Sequence, residues 1–242
     1  MRRLAALLLA AFIALPAAAA EVDVELVLAA DGSGSIDDEE LRLQREGYAE
    51  AITSAEVLGA IRSGAIGTIA IAYVEWGGPS SQHVIVDWHL VSDAASAEKF
   101  AALVRTRPRA ASGYNSISNA IDFSVRMIEQ NGHEAGKRVI DVSGDGPNIG
   151  GRNIDAAREE AVAKGITINA LAIRRPGSGV AFSAGAMGLP LEDYYRRTVI
   201  GGPGAFVEIA DETRSFAAAV RSKLVLEIAG TPGPTPRRQA AR

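Results

Sequence analysis

Long apolar runs are the feature that most limits how this chain can fold. "VDVELVLAAD" alternates at first and then becomes continuously apolar, and "GTIAIAYVEW" is apolar on both faces. Strands with two apolar faces must be covered on both sides, as in the parallel sheets of α/β proteins. Helical patterns follow the strands in turn, and this alternation predicts a mostly parallel sheet with helices on both faces.

The stretch "SQHVIVDWHLV" has the period of a half-buried strand. The link "GGPSS" from the preceding strand is short enough to force a hairpin, so this strand is predicted to run antiparallel. Its one-sided polarity indicates the edge of the sheet. The apolar face is predicted to hold Val84, Val86, Trp88 and Leu90, and the polar face His83, Asp87 and His89.

Other elements follow from local signals. Asp37 and Glu40 form a capping-box pattern at the start of a helix with Leu41, Tyr48 and Ile52 on its buried face. The remaining strands are predicted in "RVIDVSGD", "ITINALAI" and "AFVEIA". Further helices are predicted near 94–104, 117–130 and 154–164, and from Glu212 to about Ile228.

Residues 1–20 have the composition of an export signal. A basic start precedes the apolar run 4–15, and a proline and an alanine-rich cleavage motif follow. The run is shorter than the roughly 20 apolar residues of a membrane-spanning helix. We expect one domain over 21–229, a disordered tail over 230–242, no stable membrane insertion after cleavage, and a bacterial periplasmic or secreted location.

Charge and composition exclude several classes of function. Removal of residues 1–20 takes two of 25 basic residues and none of 29 acidic ones, which leaves a net charge of −6. Such a surface repels phosphate backbones, so no nucleic-acid partner is expected. The chain has no cysteine, which excludes disulfides, thiolate metal sites and a cysteine nucleophile.

Oxygen-bearing side chains follow two predicted strands and the loop between them. In parallel sheets, ligands bind where loops converge beyond the carboxyl ends of the strands. Oxygen ligands alone suit a hard cation such as Mg²⁺. The candidates are Asp31, Ser33 and Ser35 after the first strand, Asp145 after the fourth, and Asn115 or Ser116 in "ASGYNSISNAI".

The motifs "DGSGS", "GYNSISNAI" and "VIDVSGDG", in this order, resemble the metal-ion-dependent adhesion site of von Willebrand factor type A (VWA) domains. The resemblance extends from Val22 to about Ile228. It implies a Rossmann-like α/β fold with a mostly parallel central sheet, one antiparallel edge strand and helices on both faces. "VIDVSGDGPN" with "YYRRTVIGGPGAF" is similar to a bacterial exported branch of unknown function.

The resemblance also implies a ligand set. Ser33 and Ser35 would bind the ion directly, and Asp31 and Asp145 would hold it directly or through water. The family's threonine falls at Asn115, which departs from the pattern; its amide oxygen is a competent ligand on a longer side chain. The family pattern leaves one coordination position open, which an acidic side chain of a protein partner can fill.

We therefore expect a non-catalytic, adhesion-type module that uses Mg²⁺ or another divalent cation. One alternative is a hydrolase or phosphatase that uses the same ion as a Lewis acid. Another is a scaffold with a non-functional site, in which these serines and aspartates only cap helices and satisfy loop backbone. A separate metal site at His83, Asp87 and His89 is a further alternative, although polar residues on an edge strand are usually only solvated.

Two other features need a structural explanation. Asp141 lies in an apolar strand and must be hydrogen-bonded or paired if it is buried. We favour a structural role that supports the metal loops over direct ligation. The segment 174–204, with Tyr194, Tyr195, Arg196 and Arg197, is too long for a simple connection; it forms either an interface or a cover for the edge of the sheet.

Overall fold

The computed structural model describes residues 19–174, 188–211 and 213–230. Their six strands form one sheet in the order β3-β2-β1-β4-β5-β6, and β3 pairs antiparallel with β2 at one edge. The other pairs are parallel, so the predicted α/β architecture is confirmed. The strands are β1 (Ala20–Asp31), β2 (Ile69–Trp76), β3 (Gln82–Val91), β4 (His133–Gly144), β5 (Ile166–Ile173) and β6 (Val207–Ala210).

Two helical layers cover the sheet. The first packs side chains such as Tyr48, Phe100 and Leu224 on one face, and the second packs Ile117 and Ile121 on the other. The first layer contains α1 (Asp38–Thr53), α2 (Ala55–Arg62), α3 (Ala94–Thr106) and α7 (Phe216–Ala229); the second contains α4 (Ile117–Gln130), α5 (Ile154–Ala163), α6 (Leu191–Tyr194) and a π-helical turn (Tyr195–Val199).

The two predicted terminal segments fall mostly outside the described residues. The predicted signal does so up to residue 18, and the predicted tail does so from residue 231. Ala20, the last residue of the predicted signal, already opens β1. In the described ranges, no helix has both the length and the apolar character needed to span a membrane.

The strand order reverses at the centre of the sheet. β1 pairs with β2 on one side and with β4 on the other, so the connections from these strands leave in opposite directions. Loops that diverge in this way leave a crevice beyond the carboxyl ends of the two strands, where α/β proteins bind ligands. Asp31 ends β1, and Asp145 directly follows β4 at this crevice.

The start of α1 follows the predicted capping box. Glu40 N donates to Asp37 Oδ1 at 2.8 Å, and Asp37 N donates to Glu40 Oε2 at 2.9 Å. Two of the first amide groups of the helix are thereby satisfied. Helix α2 is not predicted from the sequence, because only Ser54 separates it from α1, ending one helix and capping the next.

The predicted alternation along β3 is wrong at two positions. Val84 and Leu90, predicted on the buried face, are each 42% exposed, whereas Val86 is buried. The pairing register between β2 and β3 shifts on both sides of Tyr73. Such irregularities change which face the following side chains occupy, so a strict two-residue period does not hold along the strand.

A buried ion cluster connects α7 to the sheet. Lys223 and Asp141 are fully buried, and Lys223 Nζ lies 2.7 Å from Asp141 Oδ1. Lys223 also contacts Glu227, and Asn169 Nδ2 donates to Glu227 Oε1 at 3.0 Å. Burial and the neighbouring Asp141 raise the pKa of Glu227 to about 7. Asp141 is thus paired, as expected, and its partner lies on α7.

Replacement of Lys223 by methionine should strongly destabilise the protein. The variant leaves two buried carboxyl groups without their ammonium partner, and we expect the free energy of unfolding to fall by about 3–5 kcal/mol in urea titrations. Arg221→Met is the matched control on the same helix, because Arg221 lies 3.8 Å from Glu56 at the surface; it should cost less than about 1 kcal/mol. Equal losses in both variants would contradict a special cost of leaving the two buried carboxyl groups unpaired.

Candidate metal centre

The loop after β1 and the turn after β4 bring their polar side chains together. Asp31 ends β1, and its Oδ1 accepts a hydrogen bond from Ser33 N at 2.8 Å. The Oγ atoms of Ser33 and Ser35 are 3.0 Å apart, and Ser35 Oγ donates to Asp145 Oδ1 at 3.1 Å. The cluster therefore contains two hydroxyl groups and two carboxyl groups from segments 110 residues apart.

Asp31 has an oxygen that the described residues do not satisfy. Its side chain is fully buried, and Oδ2 has no hydrogen-bond partner among the described residues. A Cβ atom at Gly144 would lie 3.2 Å from this oxygen, so the glycine keeps the space beside it open. A buried carboxylate oxygen without a partner is unfavourable, and a cation bound beside it would remove that cost.

The Asp31 carboxyl group has an unusual ionisation. Burial, followed by the charge of Asp145, raises the pKa of Asp31 from 3.8 to about 7, although the Ser33 amide opposes this shift. A divalent cation beside both groups would favour their ionised forms. The donor set therefore fits a hard cation chemically, and residues 31, 33, 35 and 145 are those that would hold it.

Asn115 borders the cluster at the Asp145–Gly146 turn. Its side chain is buried, and a Cβ atom at Gly146 would lie 2.7 Å from Asn115 Nδ2. The backbone carbonyl of Asn115 accepts hydrogen bonds from Ile149 N at 2.8 Å and Gly150 N at 3.0 Å. Asn115 therefore holds the loop after β4 through its backbone, with its side chain next to the turn that carries Asp145.

Ser116, the other candidate in this loop, is directed elsewhere. Its Oγ donates to Asn119 Oδ1 at 2.7 Å and lies 3.0 Å from Gly150 O. The hydroxyl therefore joins the start of α4 to the loop at 150. This leaves Asn115 as the better ligand candidate from "GYNSISNAI".

Helix capping does not account for the cluster. The capping side chain of α1 is Asp37, and that of α5 is Asn153, whose Oδ1 accepts from Ala156 N at 3.0 Å. The Asp31 carboxyl group accepts backbone hydrogen bonds from Ser33, at 2.8 Å, and from Asp145. These residues are therefore not helix caps, whereas the satisfaction of loop backbone that the same alternative expects is present at Asp31.

The alternative site on β3 is not formed. Within the described ranges, no three His, Cys, Asp or Glu side chains are placed to hold a metal. His83 Nε2 instead lies 3.1 Å from Ser81 Oγ, and the His89 ring packs near Phe100. A cation at the β1–β4 crevice would thus depend on hydroxyl and amide oxygens in addition to two carboxylates.

Arg109 holds the loop after β1 from outside, and it is not among the residues that the sequence predicts for the site. Its Nη2 donates to three carbonyl oxygens of this loop, Gly32 O and Ser33 O at 3.0 Å and Ile36 O at 2.8 Å. Its Nη1 also donates to Asp38 Oδ1 at 2.9 Å. One guanidinium thus fixes the backbone that carries both serines of the cluster.

A buried ion pair fixes the segment that carries Arg109. Arg45 Nη2 lies 2.5 Å from Glu75 Oε1, and both side chains are buried. Arg45 also donates to the carbonyl oxygens of Arg107 and Pro108, and Glu75 Oε2 accepts from Ala110 N at 3.2 Å. Helix α1 and strand β2 therefore hold this segment against the metal loops.

The described part of the segment 174–204 supports the site from the other side. Tyr195 Oη donates to Gly146 O at 2.9 Å, and Tyr194 Oη accepts from Asn148 N at 3.1 Å. Both tyrosines are buried, so they cover the sheet and do not form an exposed interface; Arg196 and Arg197 are exposed. Residues 175–187 lie outside the described residues.

Two of the solved structures that match this chain are named as VWA domains. The vWF domain of the type V pilus tip protein Mfa5 from Porphyromonas gingivalis matches with a TM-score of 0.55 and 12% identity, over 88% of this chain and 98% of that chain. A von Willebrand factor type A structure from Catenulispora acidiphila matches with a TM-score of 0.54 and 14% identity, over 86% and 42%. The fold is therefore that of a VWA domain.

Longer proteins contain the same fold. The pilus adhesin SpaC from Lactobacillus rhamnosus GG matches with a TM-score of 0.56 and 12% identity, over 86% of this chain and 31% of that chain. Proximal thread matrix protein 1 from the mussel byssus is described with zinc in its metal-ion-dependent adhesion site (MIDAS) motif. It matches with a TM-score of 0.54 and 13% identity, over 86% of this chain and 45% of that chain. This chain thus spans about a third of the adhesin and less than half of the byssus protein.

The sequence itself assigns the chain to a family. It belongs to the family described as "Protein of unknown function (DUF1194)", whose model matches residues 21–232. No curated protein matches the sequence. The family match covers the whole sheet and both helical layers.

Ionisation of Asp31 should lower the stability of the metal-free protein as pH rises. The folded pKa of about 7 exceeds the ordinary 3.8, so the folded state retains this proton more strongly than the unfolded chain. The stabilisation from protonated Asp31 is complete below about pH 4 and is lost as the pH rises to about 7. With a chelator present, Asp31→Asn should gain up to about 4 kcal/mol relative to wild type across this range in urea unfolding. A difference that stays constant with pH would contradict the raised pKa.

Removal of the Arg109 side chain should weaken magnesium binding. Arg109→Ala leaves three loop carbonyls without their donor and loosens Ser33 and Ser35, so we expect magnesium affinity to fall by about tenfold or more in calorimetry. Arg107→Ala is the matched control, because that side chain is exposed. Far-ultraviolet circular dichroism verifies that both variants are folded. Unchanged affinity in Arg109→Ala would show that the loop holds its shape without the guanidinium.

Proposed function

We propose that this chain is an adhesion-type protein-binding module that depends on a divalent cation. The observation that carries the proposal is the unsatisfied Asp31 Oδ2, buried beside the space that Gly144 leaves open. Two hydroxyl groups and Asp145 adjoin this aspartate. A cation would satisfy the unpartnered oxygen and offset the repulsion between the two carboxylates.

The ligand chemistry favours a hard divalent cation such as magnesium. Asp31, Ser33, Ser35, Asn115 and Asp145 offer oxygen ligands, which hard cations prefer over soft ones. When bound, the ion would supply a positive charge with a coordination position open to a carboxylate from outside. A partner that presents an aspartate or glutamate could then be recognised through the ion.

The structural relatives support this type of function. They include a pilus adhesin, a pilus tip protein and a byssus thread protein with zinc in its MIDAS motif. The N-terminal 20 residues of this chain have the pattern of an export signal. We therefore place the module in the periplasm or outside the cell.

A hydrolase or phosphatase would require a general base near the ion. His133 opens β4 at the opposite end of the sheet from Asp145. His83 and His89 lie on the edge strand β3, where His83 is hydrogen-bonded to Ser81. None of the three histidines is hydrogen-bonded to the cluster in the described residues, and a phosphatase assay with and without chelator separates binding from catalysis.

Magnesium titration of the purified protein tests the metal site. We expect saturable binding in wild type and a loss of at least about tenfold in affinity in Ser33→Ala, because one oxygen ligand is removed. Ser63→Ala is the control. Ser63 lies between α2 and β2, at the amino ends of the strands and away from the cluster, and its hydroxyl donates to Ala60 O. Absence of binding in wild type would reject the metal site.

Immobilised protein then tests recognition. Proteins from a cell-envelope extract should be retained with magnesium, released by chelator, and not retained by Ser33→Ala. Retention that is equal with and without chelator would reject the bridging role of the ion. Chelator-sensitive phosphatase activity that Ser33→Ala abolishes would instead favour the enzyme.

A further inference from the structure

The two most exposed large apolar side chains in the described residues lie on the same rim as the metal cluster. Tyr114 is 79% exposed and Ile149 is 66% exposed. Tyr114 directly precedes Asn115 in the chain, and Ile149 N donates to Asn115 O at 2.8 Å. Both residues therefore flank a predicted ligand. Scattered apolar residues at a surface are ordinary, whereas apolar residues beside a polar site mark interaction surfaces.

The backbone around Tyr114 is held firmly, so its exposure is imposed by the fold. Gly78 N donates to Ser112 O at 2.8 Å, and Ser116 N donates to Gly77 O at 2.8 Å. Gly113 adopts a φ of +87° and accepts a hydrogen bond from Gly34 N at 2.8 Å. A Cβ atom at Gly77 would collide with the Ser112 carbonyl, so this close packing requires glycine. The phenol ring therefore projects from a fixed support.

The start of α1 has more acidic than basic side chains, although Asp38 is paired with Arg109 and Glu39 with Arg42. Asp37, Asp38 and Glu39 are exposed at the start of α1, directly after the loop that carries Ser35. The whole chain also carries a net charge of −4. A partner with several adjacent acidic residues would be repelled here, whereas one carboxylate with apolar neighbours would not. This excess of negative charge disfavours a strongly acidic partner segment.

From this arrangement we infer that Tyr114 and Ile149 form an apolar contact surface beside the ion. Its occupant is a protein segment in which a single aspartate or glutamate has apolar neighbours. The carboxylate is directed to the ion, and the apolar neighbours cover the phenol ring and the isoleucine. Aromatic and apolar residues of this kind supply much of the affinity at protein interfaces. The inference rests on the proposed function and specifies the chemistry of its partner.

A displayed peptide library tests this directly. Its members carry a fixed central aspartate with randomised neighbours, are bound to the full chain in magnesium, and are eluted with chelator. We expect apolar residues to be enriched beside the aspartate and acidic residues to be depleted. The double variant Tyr114→Ser/Ile149→Ser should bind the best selected peptide about tenfold or more weakly in fluorescence anisotropy.

Two controls keep this result specific. Ile66→Ser removes an apolar side chain that is 48% exposed in the turn before β2, at the amino ends of the strands. This variant should bind the peptide as wild type does. Magnesium affinity of the double variant should stay within about twofold of wild type in calorimetry, because neither side chain is a ligand.

The outcomes separate the two hypotheses. Magnesium-dependent retention without apolar enrichment, or with enrichment that the double variant leaves unchanged, overturns the apolar surface and leaves the proposed function standing. Loss of peptide binding together with loss of magnesium binding in the double variant overturns the inference, since the two residues would then support the metal loops. Absence of any magnesium-dependent retention overturns both.

Discussion

The parallel pairing of β1 with β4 at the centre of the sheet is the constraint on which the site depends. The register places Ala30 opposite Ser143, so Asp31 and Asp145 emerge side by side although the intervening chain forms two more strands and four helices. Because the strand order reverses here, the following loops diverge and leave room between them. The crevice is thus a result of topology, and the side chains only line it.

Around this crevice, charged groups keep the loops in place. Arg109 holds the carbonyls of the first loop, and the Arg45–Glu75 pair holds the segment that carries Arg109. Tyr195 supports the second loop from the opposite side. Buried ion pairs add little net stability but impose geometry, since breaking one leaves an uncompensated charge. Such a surrounding can hold two carboxyl groups close together.

Local signals in the sequence were sufficient for much of this fold. The capping box at Asp37 locates the start of α1, and helix 117–130 has the predicted bounds because its apolar period is clear. Asp31 and Asp145 could be placed together because strand ends in a parallel sheet share one edge. The spacing of residues along the chain and the rule that parallel strands end on the same side of the sheet were enough for these predictions.

Long-range contacts were beyond such reasoning. Arg109 is one of three arginines in "RTRPR", and nothing in that stretch distinguishes the one that reaches the loop after β1. The register shifts that expose Val84 and Leu90 depend on pairing with β2 and leave no mark in the period of β3 itself. Burial of Tyr194 and Tyr195 likewise depends on where the loop after β4 lies.

The position of Trp76 has a practical consequence. Its indole is fully buried, its Nε1 donates to Ala29 O at 2.9 Å, and its ring edge faces the same small space at Gly144 that adjoins Asp31 Oδ2. The fluorescence of an indole depends on the electric field around it. A Cβ atom at Gly144 would lie 3.2 Å from both the Trp76 ring and Asp31 Oδ2, so the carboxylate is close to the indole. The chain therefore contains its own optical reporter, whose emission should register charge entering or leaving the crevice without any attached dye.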